Sequence, residues 1–239
     1  APVELQNPIN ENEPLLRGSL FQSLFSAVNS NVKKGHTSIR VFEVGNVFKK
    51  EKNGFTQLLH LSGIIHHYEP QIAWSQKELT FDFFSLKAEI SQIFQTLGLT
   101  NIKFQKLSSS MPFNENALEI MIGKQKIAAI GEIDLSVTDK LIKKSAYGFE
   151  IYPEKISFIS KNPKIKKTSK FPFSTRDINI ILNKAVAYQE VESLIVGGAI
   201  NYLDSFRLIN TFDGKDIQKG FISMTLRLIF QSNKKSLLE

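Results

Sequence analysis

The chain has 239 residues, of which 42% are apolar, a formal net charge of +7 and no cysteine. This length leaves room for one large or two ordinary domains with real hydrophobic cores. The lack of cysteine excludes disulfide bonds, thiolate metal sites and thiol nucleophiles, and no uncharged apolar run approaches the roughly 18 residues that a membrane helix needs. We expect a cytoplasmic protein, and the Ala-Pro-Val start without an initiator Met indicates part of a longer one.

Few helices and many strands are predicted in residues 1–152, which favours an α+β domain with a mostly antiparallel sheet. One helix is predicted from Pro14, because apolar residues recur every four positions until Gly35, which suits its end. A second helix is predicted over 82–97 from apolar residues spaced three and four apart. The predicted strands are 3–6, 38–48, 58–65, 102–107, 117–122, 125–133 and 146–152, with a hairpin turn at 49–54 and a short helix near 135–143.

A basic segment, residues 153–168, is predicted to link this domain to a second one. The net charge is +1 over residues 1–150 and +6 over residues 151–239, and six lysines lie between Lys155 and Lys170. Such a run is either a solvated linker or an arm that contacts phosphates. Composition alone does not distinguish the two.

The remaining residues, 169–239, are predicted to fold as strand, helix, strand, strand. The strands are FPFSTRDINIIL (171–182), FRLINTF (206–212) and FISMTLRLIF (221–230), and the helix is YQEVESLIVGGAI (188–200). This order is the front of a split βαβ unit, whose sheet has a helix-free face that often binds nucleic acid. A complete unit needs a second helix and a fourth strand. We therefore expect a truncated unit, with part of its sheet unpaired or uncovered.

The helix-free face is where the sequence predicts binding chemistry. Asn210 and Phe212 are two residues apart on the second strand and therefore share a face. On the third strand Ser223, Thr225 and Arg227 share the mixed face, opposite the apolar one. An aromatic ring can stack on a base, hydroxyl and amide groups can bond its edge, and arginine can hold phosphates. Phe212 either stacks in this way or closes the hairpin end of the core.

Catalytic signatures are absent from the sequence, which has no phosphate loop and no GxGxxG, HExxH or Gly-x-Ser-x-Gly motif. His66 and His67 are adjacent strand residues that point to opposite faces, so they do not chelate one metal ion together. We therefore predict no catalytic residue, no metal and no cofactor in this chain.

Four groups of motifs follow one another along the chain. The first, in residues 7–48, has an Asn-Pro start, Leu-Arg-x-Ser-Leu and Phe-Glu-x-Gly-x-x-Phe, the second is FDFFSLKAEI (81–90) and the third is IAAIGEID (127–134). The fourth consists of FPFSTRDINIIL, INTFDG and KGFISMTLRLIFQS. In this order they resemble the beta subunit of bacterial phenylalanyl-tRNA synthetase, with the last group resembling its ferredoxin-like anticodon-binding domain.

The resemblance implies a class II synthetase-like α+β domain over 1–152 that lacks active residues, then a ferredoxin-like βαββ anticodon-binding domain over 169–239. It implies subunit assembly and tRNA-Phe binding in a heterotetramer of two alpha and two beta subunits, with no DNA or membrane partner. ATP and magnesium are implied for the whole enzyme, whose alpha subunit charges the tRNA. The predicted anticodon-binding residues are Asn210, Phe212, Ser223, Thr225 and Arg227, and the predicted phosphate contacts are Lys164, Lys166, Lys167, Lys170 and Arg176.

This sequence departs from the family at the predicted base site. The family holds an anticodon base with an Asp and a Tyr near the end of the second strand and a Ser on the third. Counted back from Gly214, the matching positions are Asn210, Phe212 and Ser223. The Phe lacks the hydroxyl and the Asn lacks the charge that suits guanine's donors, so we expect weaker or less specific contacts.

A second departure is SMPFNENA (110–117), where the family usually has a His-Pro-Gly-x-x-Ala segment. Two other classes of function remain open from the sequence. One is a regulatory module that binds a small effector between paired ferredoxin-like sheets, and the other is a standalone enzyme.

Overall fold

A computed structural model describes residues 2–8, 14–36, 38–66, 81–99, 101–107, 111–134, 136, 145–156, 169–214 and 216–237. The chain divides into two compact units, Ala1–Pro163 and Lys164–Glu239, and each contains its own sheet. The described strands pair only in antiparallel sheets, and helices are few among the described residues, so the prediction of an α+β fold is confirmed. No helix in the described ranges has the length and hydropathy that a bilayer crossing requires.

A six-stranded antiparallel sheet, with strand order β3-β4-β8-β7-β6-β5, organises the first unit. The short strands β1 and β2 pair separately. The elements are β1 (Val3–Glu4), β2 (Leu15–Leu16), α1 (Phe21–Lys33), β3 (Ile39–Glu51), β4 (Gly54–His66), α2 (Phe83–Thr96), β5 (Ile102–Lys106), β6 (Leu118–Ile122), β7 (Gln125–Glu132) and β8 (Ala146–Ile151). A short 3-10 helix, Pro153–Lys155, follows β8.

Helices α1 and α2 pack on opposite faces of the sheet, because side chains alternate along each strand. Ile64 belongs to the cluster beneath α1, with Leu24 and Val28. Its neighbour Ile65 belongs to the cluster beneath α2, with Leu86 and Phe94. The core of the unit is therefore two layers of buried side chains, one on each side of a single sheet.

The first helix begins at Phe21 and not at Pro14, so the sequence-based prediction of its start was wrong. Leu16 pairs with Val3 as a strand residue, although it continues the apolar stripe of the helix. The Ser19 hydroxyl then accepts a hydrogen bond from the Phe21 N–H at 3.2 Å. The predicted end is confirmed, since Gly35 has a φ of +86°, a left-handed conformation that favours glycine after a helix.

The β3–β4 hairpin is longer than its sequence pattern predicts. Glu51 pairs directly with Gly54, so the turn is two residues long and the segment 49–51 belongs to the strand. The sequence pattern does not reveal the segment 49–51 of β3, because its residues are charged and the alternation of apolar residues stops there, although the backbone pairing continues. The predicted helix near 135–143 lies outside the described residues except at residue 136.

The second unit contains a three-stranded antiparallel sheet with strand order β10-β11-β9. Its elements are β9 (Ser174–Asn183), α3 (Tyr188–Gly197), β10 (Leu203–Phe212) and β11 (Phe221–Phe230). The Glu190 side chain accepts a hydrogen bond from the Ala187 N–H at 3.2 Å, which helps to begin α3. Leu226 of β11 is fully buried and Val191 of α3 is 8% exposed, which marks the helix-covered side of the sheet.

Part of this sheet is open, as the sequence predicts. Strand β9 has a described partner, β11, on one side only. On the helix-covered side, Ile178 is still 39% exposed and Leu208 is 37% exposed. One helix therefore covers only part of the apolar surface that the three strands present.

The entry to and exit from this sheet are bonded together. The Ser169 hydroxyl donates to the backbone carbonyl of Ser232 at 2.8 Å, and the Gln231 amide donates to the carbonyl of Phe171 at 2.9 Å. The Ser232 hydroxyl accepts from the Lys234 N–H at 3.1 Å, which is the hydrogen bond of a helix N-cap. No helix follows in the described residues up to 237.

Candidate nucleic-acid interface

The helix-free face of the second sheet carries rows of side chains that run across its strands, and three of these rows contain the predicted anticodon-binding residues. Antiparallel register places one residue from each strand in each row. The first row is Phe212, Ser223 and Ile181, the second is Asn210, Thr225 and Asn179, and the third is Arg207, Arg227 and Asp177. The structure therefore brings together all five residues predicted to bind the anticodon.

Phe212 lies on this face and not in the core. It pairs with Ser223, which lies on the opposite side of β11 from Met224 and is itself 8% exposed. The Phe212 side chain is 49% exposed. A Cβ built on Gly214 would lie 2.2 Å from its Cζ atom, so the ring rests against the glycine that begins the next turn. An exposed, supported aromatic ring at this place is suited to stacking.

The second row contains a hydrogen-bond network that centres on Asn179. The Thr225 hydroxyl donates to the Asn179 side-chain oxygen at 2.7 Å, and the Ser223 hydroxyl approaches the same oxygen at 3.4 Å. Asn179, which was not among the predicted site residues, thus orients two that were, Thr225 and Ser223. The signal available in the sequence is the alternation of apolar residues along β9, which places Asn179 opposite Ile178 and Ile180.

Arg227 is held by an acidic partner. Its Nε and Nη2 atoms donate to the two carboxylate oxygens of Asp177 at 2.7 and 2.6 Å, a bidentate pair. This hydrogen bonding to Arg227 lowers the pKa of the Asp177 carboxyl from its ordinary value. Arg227, one of the predicted anticodon-binding residues, therefore already has an anion beside it.

The residues predicted to contact phosphates are not gathered on this face. Arg176 pairs with Leu228 and so lies on the helix-covered side, where its guanidinium donates to the carbonyl of Thr175 at 3.0 Å. Lys170 is exposed just before β9. The other three, Lys164, Lys166 and Lys167, lie outside the described residues.

In the first unit, the polar groups on the α1 side of the sheet bind one another. Arg17 forms an ion pair with Glu43 and also donates to the carbonyl of Asn46 at 2.8 Å. The Ser23 hydroxyl donates to the same Glu43 carboxylate, and this hydrogen bond, with the Arg17 guanidinium, lowers the pKa of Glu43. These groups hold α1 to β3.

A second polar group on that side joins β4 and β8. His60 Nδ1 lies 3.0 Å from a Glu150 carboxylate oxygen, and the Tyr152 hydroxyl donates to the other oxygen at 3.0 Å. Burial, and then the nearby Glu150 carboxylate, raise the pKa of Tyr152. The sequence does not reveal this partner of His60, because Glu150 is 90 residues away along the chain. Mutually bound groups of this kind offer no free nucleophile with an adjacent base.

Within the described ranges, no group of three or more His, Asp or Glu side chains could hold a metal ion.

The opposite face of this sheet exposes aromatic and aliphatic side chains beside α2. Phe42 is 73% exposed, Val44 56% and Phe55 58%, and all three point to the α2 side by the alternation of β3 and β4. Phe84, at the start of α2, is also 73% exposed. We call Phe42, Val44 and Phe55, which share one face of the β3–β4 hairpin, the apolar patch. Contiguous apolar surface on a protein is characteristic of contact sites.

Two family models match the chain. The model of the phenylalanyl tRNA synthetase beta chain CLM domain matches residues 1–152, and that of the ferredoxin-fold anticodon binding domain matches residues 169–239. Among solved structures, the pyrrolysyl-tRNA synthetase PylSc of Desulfitobacterium hafniense has 14% identity and a TM-score of 0.47, covering 64% of this chain and 50% of its own. A likeness this distant carries no argument about function.

Curated relatives share the whole length of this chain. The phenylalanine–tRNA ligase beta subunit of Thermotoga maritima is 25% identical over 100% of the chain, and that of Buchnera aphidicola subsp. Baizongia pistaciae is 29% identical over 98%. The chloroplastic beta subunit of Phaeodactylum tricornutum is 27% identical over 98% of it. The chain spans about 30% of the length of the first two relatives and 35% of the third. With a family model matching most of its residues, the chain belongs to the phenylalanyl-tRNA synthetase beta chain family.

Proposed function

We propose that this chain is the part of a phenylalanine–tRNA ligase beta subunit that binds the anticodon of tRNA-Phe and helps to assemble the enzyme. In this proposal the alpha subunit charges the tRNA with phenylalanine at the expense of ATP and magnesium, in the cytoplasm. The chain itself contributes no catalytic group. The observation that carries the proposal is the convergence of Phe212, Asn210, Ser223 and Thr225 on one helix-free face.

The first two rows of that face fit one unstacked base. Phe212 offers a ring, and Ser223 pairs with it on the adjacent strand. Asn210, one row away and paired with Thr225, offers both donors and an acceptor to the edge of the base. Single-stranded loops are recognised in this way, by stacking together with hydrogen bonds to base edges.

The proposed base contacts differ from those of the family in a testable way. An Asn at position 210 meets guanine's amino and imino donors with one neutral oxygen, where a carboxylate would offer two charged ones. The resulting contact still favours guanine, but it discriminates less strongly between guanine and the other bases. Asn210→Asp is expected to increase the preference for guanine at the contacted anticodon position.

Binding of tRNA-Phe to the full chain tests the anticodon proposal. We expect salt-sensitive binding that weakens when the contacted anticodon base is replaced in an otherwise identical transcript. Equal affinity for the two transcripts at several salt concentrations would contradict it. A saturable thermal shift with phenylalanine, without tRNA binding, would favour the effector-binding module instead.

We also propose that the alpha subunit covers the apolar patch, in a heterotetramer of two alpha and two beta subunits. The support is the exposure of Phe42 and Phe55 on one face of the sheet, where a partner would remove apolar side chains from water. Co-purification with the alpha subunit tests this. Phe42→Ser with Phe55→Ser is expected to weaken association, whereas Leu194→Ser, which changes an equally exposed residue of the other unit, is the matched control.

A further inference from the structure

The third row of the helix-free face holds three charges side by side. Arg207 of β10 pairs with Arg227 of β11, which pairs with Asp177 of β9. Like charges directly opposite one another across strands repel, so two neighbouring arginines need an anion. Asp177 supplies one negative charge, through its bidentate bond to Arg227. One positive charge is left over in the row.

Arg207 reaches this face because β10 is irregular. The register of β10 against β11 shifts between Leu208 and Asn210, so Leu208 pairs with Leu226 and Asn210 pairs with Thr225. Such a bulge inserts one extra residue, here Ile209, and re-aims the side chains that follow it. Without it, Arg207 and Asn210 would lie on opposite faces, since they are three positions apart.

Arg207 is also the less engaged of the two arginines. Its side chain is exposed, and among the described residues it makes neither a hydrogen bond nor an ion pair, although its charge acts on Asp177. Arg227 uses its Nε and Nη2 atoms on Asp177, and its side chain is 36% exposed. A charge neutralised by a bound carboxylate releases few counterions when a phosphate approaches.

The row is within reach of a nucleotide bound next to it. A strand rises about 3.4 Å per residue, so the row of Arg227 lies about 7 Å along β11 from the row of Thr225. A base on the Asn210 row therefore brings its own or a neighbouring phosphate close to the arginine row. The helix-free face then has a base end, near Phe212, and a phosphate end.

We propose that Arg207 is the residue that contacts an RNA phosphate beside the base site, and that Asp177 is a positioning residue that withholds Arg227 from the same phosphate. This inference rests on the proposed function, because it concerns the same face. It assigns the phosphate contact to a residue that strand alternation alone would place elsewhere. It also implies that the Asp177 carboxylate lowers the affinity of the chain for RNA, so that replacing it with a neutral side chain strengthens RNA binding.

The salt dependence of tRNA-Phe binding to the full chain tests this assignment. The affinity is measured over a series of salt concentrations for Arg207→Gln, Arg207→Lys, Arg227→Gln and Asp177→Asn. Each lost phosphate contact lowers the log–log slope by about 0.7 for single-stranded RNA. We expect that loss in Arg207→Gln, a retained slope in Arg207→Lys, and little change in Arg227→Gln.

Asp177→Asn is expected to give tighter binding and a slope steeper by up to about 0.7, because Arg227 becomes available. That gain should vanish in the double variant Asp177→Asn/Arg227→Gln, whereas a general charge effect would persist. Glu192→Gln on α3 and Lys103→Gln on β5 make the same charge changes away from the face. Unfolding midpoints of all variants establish that each one is folded.

The outcomes separate the two levels of inference. A slope that falls in Arg227→Gln and not in Arg207→Gln would overturn the assignment, and so would a gain in Asp177→Asn no larger than in Glu192→Gln. If Phe212→Ala still weakens binding in that case, the proposed function stands without this inference. Absence of any tRNA binding by the unaltered chain overturns both.

Discussion

Replacement of Phe212 by Ala tests the base-binding site most directly. Stacking of a base on an aromatic side chain is worth about 1–3 kcal/mol by alanine substitution. At about 1.4 kcal/mol per factor of ten, the Kd for tRNA-Phe should rise by about 5- to 140-fold. The ring carries no charge, so the log–log salt slope should not change. A loss of affinity at constant slope is the signature of a lost stacking contact.

The cost to folding must be kept apart from the cost to binding. Truncating a buried Phe to Ala costs about 3–5 kcal/mol. Phe212 is 49% exposed, so the loss in free energy of unfolding should be about half of that or less. Urea unfolding of the variant measures this loss, and circular dichroism establishes that the variant is folded at the temperature of the binding assay.

Two further variants sharpen the measurement. Phe212→Tyr keeps the ring and adds a hydroxyl, so it should bind at least as tightly. Leu194 of α3 is 76% exposed. Leu194→Ala should therefore leave the affinity for tRNA-Phe unchanged. Fluorescence anisotropy with labelled tRNA-Phe measures all three. A folded Phe212→Ala protein with the affinity of the unaltered chain at every salt concentration would refute the stacking role.

Three other predictions concern the support of the site and the first unit. Gly214→Ala places a Cβ 2.2 Å from the Phe212 ring, so tRNA affinity should fall with little change in the unfolding midpoint; Gly197→Ala, with no atom within 4 Å, is the control. Phe94→Ala removes a fully buried ring and should cost about 3–5 kcal/mol in urea unfolding, far more than an exposed phenylalanine on the same helix. The pKa of Glu43 is lowered in the folded state, so its stabilising effect is present at neutral pH and is lost as pH falls through that pKa. The Glu43→Gln variant should therefore unfold at a lower urea concentration at neutral pH, and its free energy of unfolding should fall less steeply as the pH is lowered. Identical dependence of the unfolding free energy on pH in the two proteins would contradict this.

Much of the second sheet could be predicted from sequence because β11 alternates without interruption. The pattern of Met224, Leu226 and Leu228 assigns both of its faces, and the structure has the strand at the predicted bounds. The same reasoning placed Asn210 and Phe212 together correctly. It missed Arg207, because a one-residue bulge reverses the parity of a strand and leaves no mark in the pattern of apolar residues.

In the first unit the errors have a different cause. The start of α1 was wrong because Leu16 has the spacing of a helix residue, whereas its pairing with Val3 is a contact between distant positions. The bond between His60 and Glu150 likewise joins strands that only the folded sheet makes neighbours. Local periodicity reports which face of an element is buried, but not which element buries it.

The bonds that tie Ser169 to Ser232 and Phe171 to Gln231 have a consequence for the history of the second unit. A domain whose chain enters and leaves at one point can be inserted into a host protein, or exchanged between hosts, without altering the path of the host chain. Its internal register, including the bulge that aims Arg207, would be preserved in transfer. The second unit thus has the chain geometry of a transferable domain, since its sheet, including the row of Arg207, is formed entirely within the unit.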